Sequence, residues 1–388
     1  MCDPDSGEAI DDGLALWFPG PNSVTGEDVA ELHLHGSRAV LAATMAVLSR
    51  RGLRLAEPGE FTRRAFLNGK LDLTQAEAVA DLAAAETEAQ RRQALRQLEG
   101  GLRARYRAWS ERLLRLLAQL EAAIDFPDED LPPEIEARVV QESAALLAEI
   151  EAHLTDDRRG ERLRDGIAVA IVGPPNAGKS SLLNQLAQRE AAITSPIAGT
   201  TRDVIEVAID LAGYPVVLAD TAGLRHSADV IEQEGLRRAL SRAEAAELRL
   251  FVFDAARPED AAGAAQWPGP DTLLVANKID LVESSVYLPA GTLAVSALTG
   301  DGLAGLIETL AARIADRYDI AAPLLTRARH RESLETAVAA LSRSLAAELP
   351  ELRAEDFRLA WRSLGQITGR VDVEDLLDVI FADFCLGK

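Results

Sequence analysis

The stretch GPPNAGKS sets Gly173, Gly178, Lys179 and Ser180 at the spacing G-x-x-x-x-G-K-[ST]. Those residue types at that spacing suit phosphate chemistry. Glycines let backbone N–H groups close around an anion, the lysine ammonium reaches the β/γ oxygens, and the serine hydroxyl ligates Mg²⁺. Asp220-Thr221-Ala222-Gly223 has the D-x-x-G form that senses Mg²⁺ and γ-phosphate. Asn277-Lys278-Ile279-Asp280 offers a carboxylate that can accept from guanine N1 and N2, where adenine has no such donors. Ser296-Ala297 follows as a backbone contact for guanine O6. NKID or SAL alone is a weak signal; four such elements in this order are a strong one.

The elements that must position these groups are equally plain. IAVAIV reads as a buried strand, followed by a Gly-rich turn and a helix. VVLAD, TLLVAN and LAV are further apolar strands, and each motif falls at a strand's C-terminal end, where open α/β sheets bind ligands. The sequence therefore predicts a GTP-binding α/β unit. Its hydrolytic machinery is unusual, because Leu224 stands just after D-x-x-G, where many small GTPases orient water with Gln. Glu232 and Glu234, in the polar-then-helical stretch that follows, are two candidates for that task; exposed helix carboxylates would look the same. Asn176 could ligate a monovalent cation beside the phosphates and so supply the charge of an arginine finger, or could be a turn residue chosen for its φ.

The rest of the chain reads as mostly helical. Leu102, Tyr106, Trp109, Leu113, Leu116, Leu120 and Ile124 step by three or four, up to the breaker DFPDEDLPP. Leu334, Val338, Leu341 and Leu345 form another stripe, and VEDLLDVIFADF a final amphipathic helix. Helices on both sides of an α/β insert predict one helical bundle interrupted by the nucleotide-binding unit. From Arg91 to Arg115 eight arginines face two glutamates, and RARHR follows at 327–331. Each run reads either as a phosphate contact or as a solvated polar face.

Composition bounds the whole. The 388 residues suffice for two or three domains. No run of 18 apolar residues occurs, and the acidic start MCDPDSGEAIDD is neither a signal nor a transit peptide. Two distant cysteines, Cys2 and Cys385, fit a reducing cytoplasm. The net charge of -21 repels a polyanion, so any nucleic-acid contact must be local or made with a partner. Of 41 cationic residues only four are lysine: Lys70, Lys179, Lys278 and Lys388. In a chain this rich in arginine, a retained lysine either marks a site where a compact ammonium fits and a planar fork does not, or is retained by chance. The ending ADFCLGK has the outline of a prenylation signal, but Gly387 is not aliphatic and Lys388 is not a usual last residue.

GPPNAGKSSLLN, REAAITSPIAGTTRDV, DTAGLR with a downstream E-x-x-G, NKID and the terminal CLGK resemble the bacterial tRNA modification GTPase family MnmE, also called TrmE. FPGPNSVTGEDVAELHLHG and PGEFTRRAFLNGKLDLTQAEAVADL look like that family's folate-binding domain, and the likeness runs from about Gly13 to Lys388. The resemblance implies a multidomain α and α/β chain. An α+β folate-binding-like domain over 1–70 is followed by helical segments at 71–165 and 322–388, which flank a Ras-like G domain at 166–321. Members begin with a further segment carrying Gly-rich turns and an arginine at the folate site. The expectation here is a truncated first domain, whether by a short start or by a misplaced start codon.

The resemblance also implies a ligand set. GTP would lie on Asn176, Ala177, Gly178, Lys179, Ser180 and Ser181; on Ser195, Pro196, Ile197, Ala198, Gly199, Thr200 and Thr201; on Asp220, Thr221, Ala222 and Gly223; and on Asn277, Lys278, Asp280, Ser296, Ala297 and Leu298. Mg²⁺ falls on Ser180 and Thr201, and K⁺ on Asn176, Ser195, Ile197 and Thr200. The water-orienting glutamate aligns with Glu232. 5-Formyltetrahydrofolate, or the 5,10-methylene form, falls on Glu31 and Lys70 with Lys388 close by, and Cys385 would face that pocket for chemistry or for packing. Family members act as homodimers whose G domains meet across the nucleotides. They work with an FAD-dependent GidA (MnmG) partner in a heterotetramer to modify C5 of the tRNA wobble uridine. A regulatory GTPase switch of the ribosome-assembly kind would carry the same G motifs; the folate-like segment and the CLGK tip favour the modification enzyme.

Overall fold

The computed structural model describes residues 1–125, 133–190, 206–220, 241–283, 286–318 and 324–371, with 377, 380 and 381. They form two compact units. One comprises Met1–Ala83, Ala94–Leu154 and the segment from Arg329 onward; the other comprises Ala84–Gln93 and Thr155–Ala328.

The second unit is built on a six-stranded sheet. Its strands are β3 (Ile167–Val172), β4 (Glu206–Leu211), β5 (Tyr214–Asp220), β6 (Leu248–Asp254), β7 (Thr272–Asn277) and β8 (Leu293–Ala294), in the order β4-β5-β3-β6-β7-β8. All neighbours pair in parallel except β4 with β5. The two-residue turn joining those two holds Ala212 and Gly213 at positive φ, as a tight hairpin requires, and Asp210 Oδ1 accepts from Gly213 N at 2.6 Å. The near-continuous apolar run of β3 suits a central parallel strand covered on both faces. One cover is a cluster around Leu182, Leu183, Leu186, Leu306 and Leu310, from helices α8 (Lys179–Arg189) and α9 (Leu303–Tyr318). The other face packs Ala243, Phe251, Phe253 and Ala276.

The first unit opens with an antiparallel pair, β1 (Leu14–Phe18) and β2 (Val29–His33), in which Leu16 faces Glu31. Helices α1 (Arg38–Arg50), α2 (Glu60–Leu67) and α3 (Leu73–Ala84) follow. Beyond α4 (Glu88–Leu98), which straddles the two units, come α5 (Gly101–Asp125) and α6 (Pro133–Leu154). After α7 (Arg159–Asp165) and the sheet, α10 (Ala328–Ala346) and α11 (Pro350–Thr368) return to this unit. Proline starts α11 and Gly369, at φ 80°, closes it. The predicted stripe of α5 is buried from Leu102 to Leu120. On α10, Leu334 and Leu341 are buried but Val338 and Leu345 are only half so; Ala337, Ala340 and Ser344 complete the buried face. Counting only large apolar residues misplaces a face that small residues share. The breaker from 126 to 132 and most of the final helix lie outside the described residues, although Leu377, Ile380 and Phe381 pack on Leu73 and Ala76.

A buried charge cluster ties the separated segments of this unit. Glu77 of α3 accepts from His330 Nε2 at 2.9 Å and from Arg329 Nε at 2.6 Å, while Arg329 also donates to Ile367 O of α11 at 3.2 Å. Burial opposes ionisation of Glu77, but the positive field of His330 and Arg329 outweighs it and holds the carboxyl well below its ordinary range. Two members of the basic run RARHR are therefore committed internally, and Arg331 donates to Leu154 O at 2.9 Å. That is neither a phosphate contact nor a merely solvated face. No helix among the described residues is long and apolar enough to cross a membrane.

Candidate functional site: the strand ends of the parallel sheet

The phosphate loop runs from the end of β3 to the first turn of α8. Two of its glycines are there for conformation and space: Gly173 sits at φ 136° and Gly178 at φ 89°, and a Cβ on either would collide, with Val252 O and Asn277 Nδ2 respectively. Lys179 is buried, and its Nζ donates to Gly173 O at 2.9 Å and Pro174 O at 2.8 Å. Burial lowers its pKa, and the Asp220 carboxylate offsets part of that. The ammonium is thus held inside the loop, its donors on backbone carbonyls that phosphate oxygens can replace. Ser180 Oγ donates to Asp220 Oδ2 at 2.5 Å, so the last residue of β5 and the first turn of α8 present adjacent hard oxygens. Asn176 is exposed in the left-handed region at φ 63°. Ser181 is exposed one residue beyond Ser180.

Across the sheet, Asn277 ends β7. Its side chain is buried, donating from Nδ2 to Ala177 O at 2.8 Å and accepting at Oδ1 from Ala297 N at 2.9 Å. One amide thereby joins the phosphate loop to the loop after β8, a role that needs a donor and an acceptor on the same side chain. Lys278 takes φ 65°, and its Nζ lies 2.8 Å from Asp254 Oδ2 at the end of β6. Burial raises the Asp254 carboxyl's pKa, but the Lys278 hydrogen bond and the backbone N–H of Ala256 bring it below the ordinary value. Asp280 is exposed, with Oδ1 accepting from Ser296 Oγ at 2.5 Å; the same hydroxyl accepts from Leu298 N at 3.3 Å. The carboxylate is oriented while retaining free acceptor capacity.

The structure therefore brings together Ala177, Gly178, Lys179, Ser180, Asp220, Asn277, Lys278, Ser296 and Ala297 at the C-terminal ends of the parallel strands. Sequence reasoning missed Asp254 and the bracing role of Asn277; an aspartate closing the apolar run FVFD was the available signal. Ser195, Pro196, Ile197, Ala198, Gly199, Thr200, Thr201, Thr221, Ala222, Gly223, Leu224, Glu232 and Glu234 lie outside the described residues, as do Cys385 and Lys388. In the other unit Glu31 lies on β2, its Oε2 3.2 Å from His33 Nε2, and Lys70 is exposed just after α2.

Comparison with known proteins decides the family. Residues 73–385 match the model of the MnmE helical domain, and residues 1–70 that of the GTP-binding protein TrmE N-terminus. The chain belongs to the MnmE family. A protein of Parvibaculum lavamentivorans named tRNA modification GTPase MnmE is 59% identical over 392 residues, covering 100% of this chain and 89% of that one. A protein of the same name from Paramagnetospirillum magneticum is 58% identical over 390 residues, covering 99% of this chain and 88% of that one. Among solved structures, a GTP-binding protein from Sulfolobus solfataricus in complex with GDP aligns at 18% identity with a TM-score of 0.30, covering 54% of this chain and 67% of that one. That likeness is too weak to add to the assignment.

Proposed function

We propose that this chain is a potassium-activated GTPase that acts with an FAD-dependent GidA (MnmG) partner to install an aminomethyl-type group at C5 of the wobble uridine of tRNA. The observation that carries the GTPase part is the single buried amide of Asn277 holding the phosphate loop and the Ala297 loop in register. In that register Lys179 would meet one end of a bound nucleotide and Asp280 the other. The tRNA part rests on membership of the family and on the names of its members.

In this reading the phosphate loop's N–H groups and Lys179 take the β/γ phosphates. Asp280 accepts from guanine N1 and N2, and the Ala297 and Leu298 backbone receives O6. Ser180 supplies a hydroxyl to Mg²⁺ with Thr201. Its position beside Asp220 fits a hard cation that keeps several waters. Asn176, exposed in the left-handed conformation, fits a K⁺ ligand, with Ser195, Ile197 and Thr200 completing the set. When bound there, K⁺ supplies positive charge to the phosphates as an arginine finger would. Glu232 orients the attacking water, a task Leu224 cannot perform. The N-terminal region takes the folate one-carbon unit through Glu31 and Lys70, with Lys388 and Cys385 nearby. The enzyme works in the cytoplasm as a homodimer, its G domains meeting across the two nucleotides.

Potassium dependence is the quickest test of this site. Turnover of GTP in KCl is expected to exceed that in NaCl at equal ionic strength by about 10-fold or more, the worth of one well-placed charge in the transition state. Equal rates would remove the cation from Asn176 and leave Arg202 or Arg225 as the source of charge.

A further inference from the structure

In the first unit, a cavity of about 330 Å³ opens between the end of α2, the start of α5 and the end of α11. Its wall carries Arg103, Arg107 and Arg370, and its lining includes Phe66, Leu67 and Leu71. The one acidic residue of the lining is Asp72, 3.7 Å from Arg103 Nε. Arg103 also donates to Gln75 Oε1 at 2.9 Å, which fixes its fork. Arg107 is 56% exposed and, among the described residues, bonds only the exposed Glu111, at 2.7 Å, a pair that exchanges easily with solvent or ligand. Arg370 is exposed and has no ion-pair partner among the described residues.

The other arginines of the 91–115 run are mostly committed elsewhere. Arg91 and Arg92 bond Glu88, Arg105 bonds His153, and Arg112 bonds Glu149. Glu111 feels Arg107 first, and then Arg115 and Arg370, which depress its pKa together; this places Arg370 in the same electrostatic neighbourhood. Three arginines lining one cavity together with Phe66, Leu67 and Leu71, in a chain of net charge -21, form a local exception to its overall charge.

We infer that this cavity is an RNA-binding subsite in which Arg103, Arg107 and Arg370 hold a phosphodiester of tRNA while Phe66, Leu67 and Leu71 face the attached nucleoside. Planar forks match phosphate oxygens bidentately, which suits arginine rather than lysine. Aromatic and aliphatic lining residues beside them suit an unstacked base or ribose better than inorganic phosphate. The inference rests on the reading of tRNA as substrate and extends it by naming where the RNA is gripped.

The test uses the full chain and an end-labelled unmodified tRNA transcript, with anisotropy read over a range of KCl. The double variant Arg107→Gln/Arg370→Gln is expected to bind about 10-fold more weakly at low salt. Its plot of log affinity against log salt should be shallower by about 0.7 to 0.9, the slope that belongs to one neutralised phosphate. Arg92→Gln should change neither quantity, and Arg107→Lys/Arg370→Lys should keep the slope. GTP turnover should be unchanged in all of them. Equal affinity and slope in the folded double variant would remove the subsite. Should that variant not fold, phenylglyoxal modification of the wild type gives the answer: tRNA should shield Arg107 and Arg370 but not Arg92. Equal modification with and without tRNA overturns the inference, and so does shielding by inorganic phosphate alone that tRNA does not exceed. A wild type with no tRNA affinity at any salt would remove the substrate reading itself, whereas binding with an unaltered slope removes only this cavity.

Discussion

Replacing Asp280 with alanine is expected to weaken GTP binding by about 10²-fold or more while leaving the thermal midpoint of the free protein nearly unchanged. The carboxylate is exposed, so the folded chain loses little with it. The bound base loses two charge-assisted hydrogen bonds, each worth about 1.5–3 kcal/mol, and the lower end of that range already gives this effect. Ser296 holds Asp280 in place, so Ser296→Ala should produce a smaller loss in the same direction. Displacement of a fluorescent guanine nucleotide measures both. ATP is the control: its weak binding owes nothing to Asp280 and should not change. A wild-type affinity for GTP in Asp280→Ala would mean that the base is read elsewhere.

Glu232→Ala should separate binding from chemistry. GTP affinity is expected to stay within a few-fold of wild type, and single-turnover hydrolysis to fall by about 10²-fold or more, because orienting the water matters in the transition state and hardly in the ground state. Leu224, where many GTPases carry glutamine, leaves no amide to share that work. Should Glu234→Ala show this pattern and Glu232→Ala not, the assignment moves by two residues.

Much of this was legible in the residues because phosphate and guanine impose narrow chemistry. GxxxxGKS, DTAG and NKID each predicted a strand end, and β3, β5 and β7 end at those motifs. What escaped depended on pairing across the chain. Asn277 reads as one letter of a base-recognition motif, yet its buried amide braces Ala177 against Ala297, 100 and 20 residues away. Asp254 acquires its role only once β6 lies beside β7. RARHR read as a phosphate contact or a solvated face until His330 and Arg329 met Glu77 in the interior. The face of α10 slipped for a different reason: alanine and serine pack helices closely but give weak hydropathy signals. The four lysines illustrate the reverse. Rarity marked all four; Lys179 and Lys278 have tightly defined partners, Gly173 and Pro174 carbonyls for one and Asp254 for the other, whereas Lys70 is exposed and Lys388 lies outside the described residues.

The central claim, that GTP turnover by this chain serves tRNA modification, is tested most directly by nucleoside mass spectrometry of total tRNA from cells in which its gene is deleted. The uridines carrying aminomethyl-type groups at C5 are expected to disappear, to return when the wild-type chain is supplied, and to stay absent when the supplied chain carries Lys179→Ala. An unchanged nucleoside profile in the deletion would contradict the role in modification. Full restoration by a Lys179→Ala chain unable to bind GTP would contradict the requirement for its turnover.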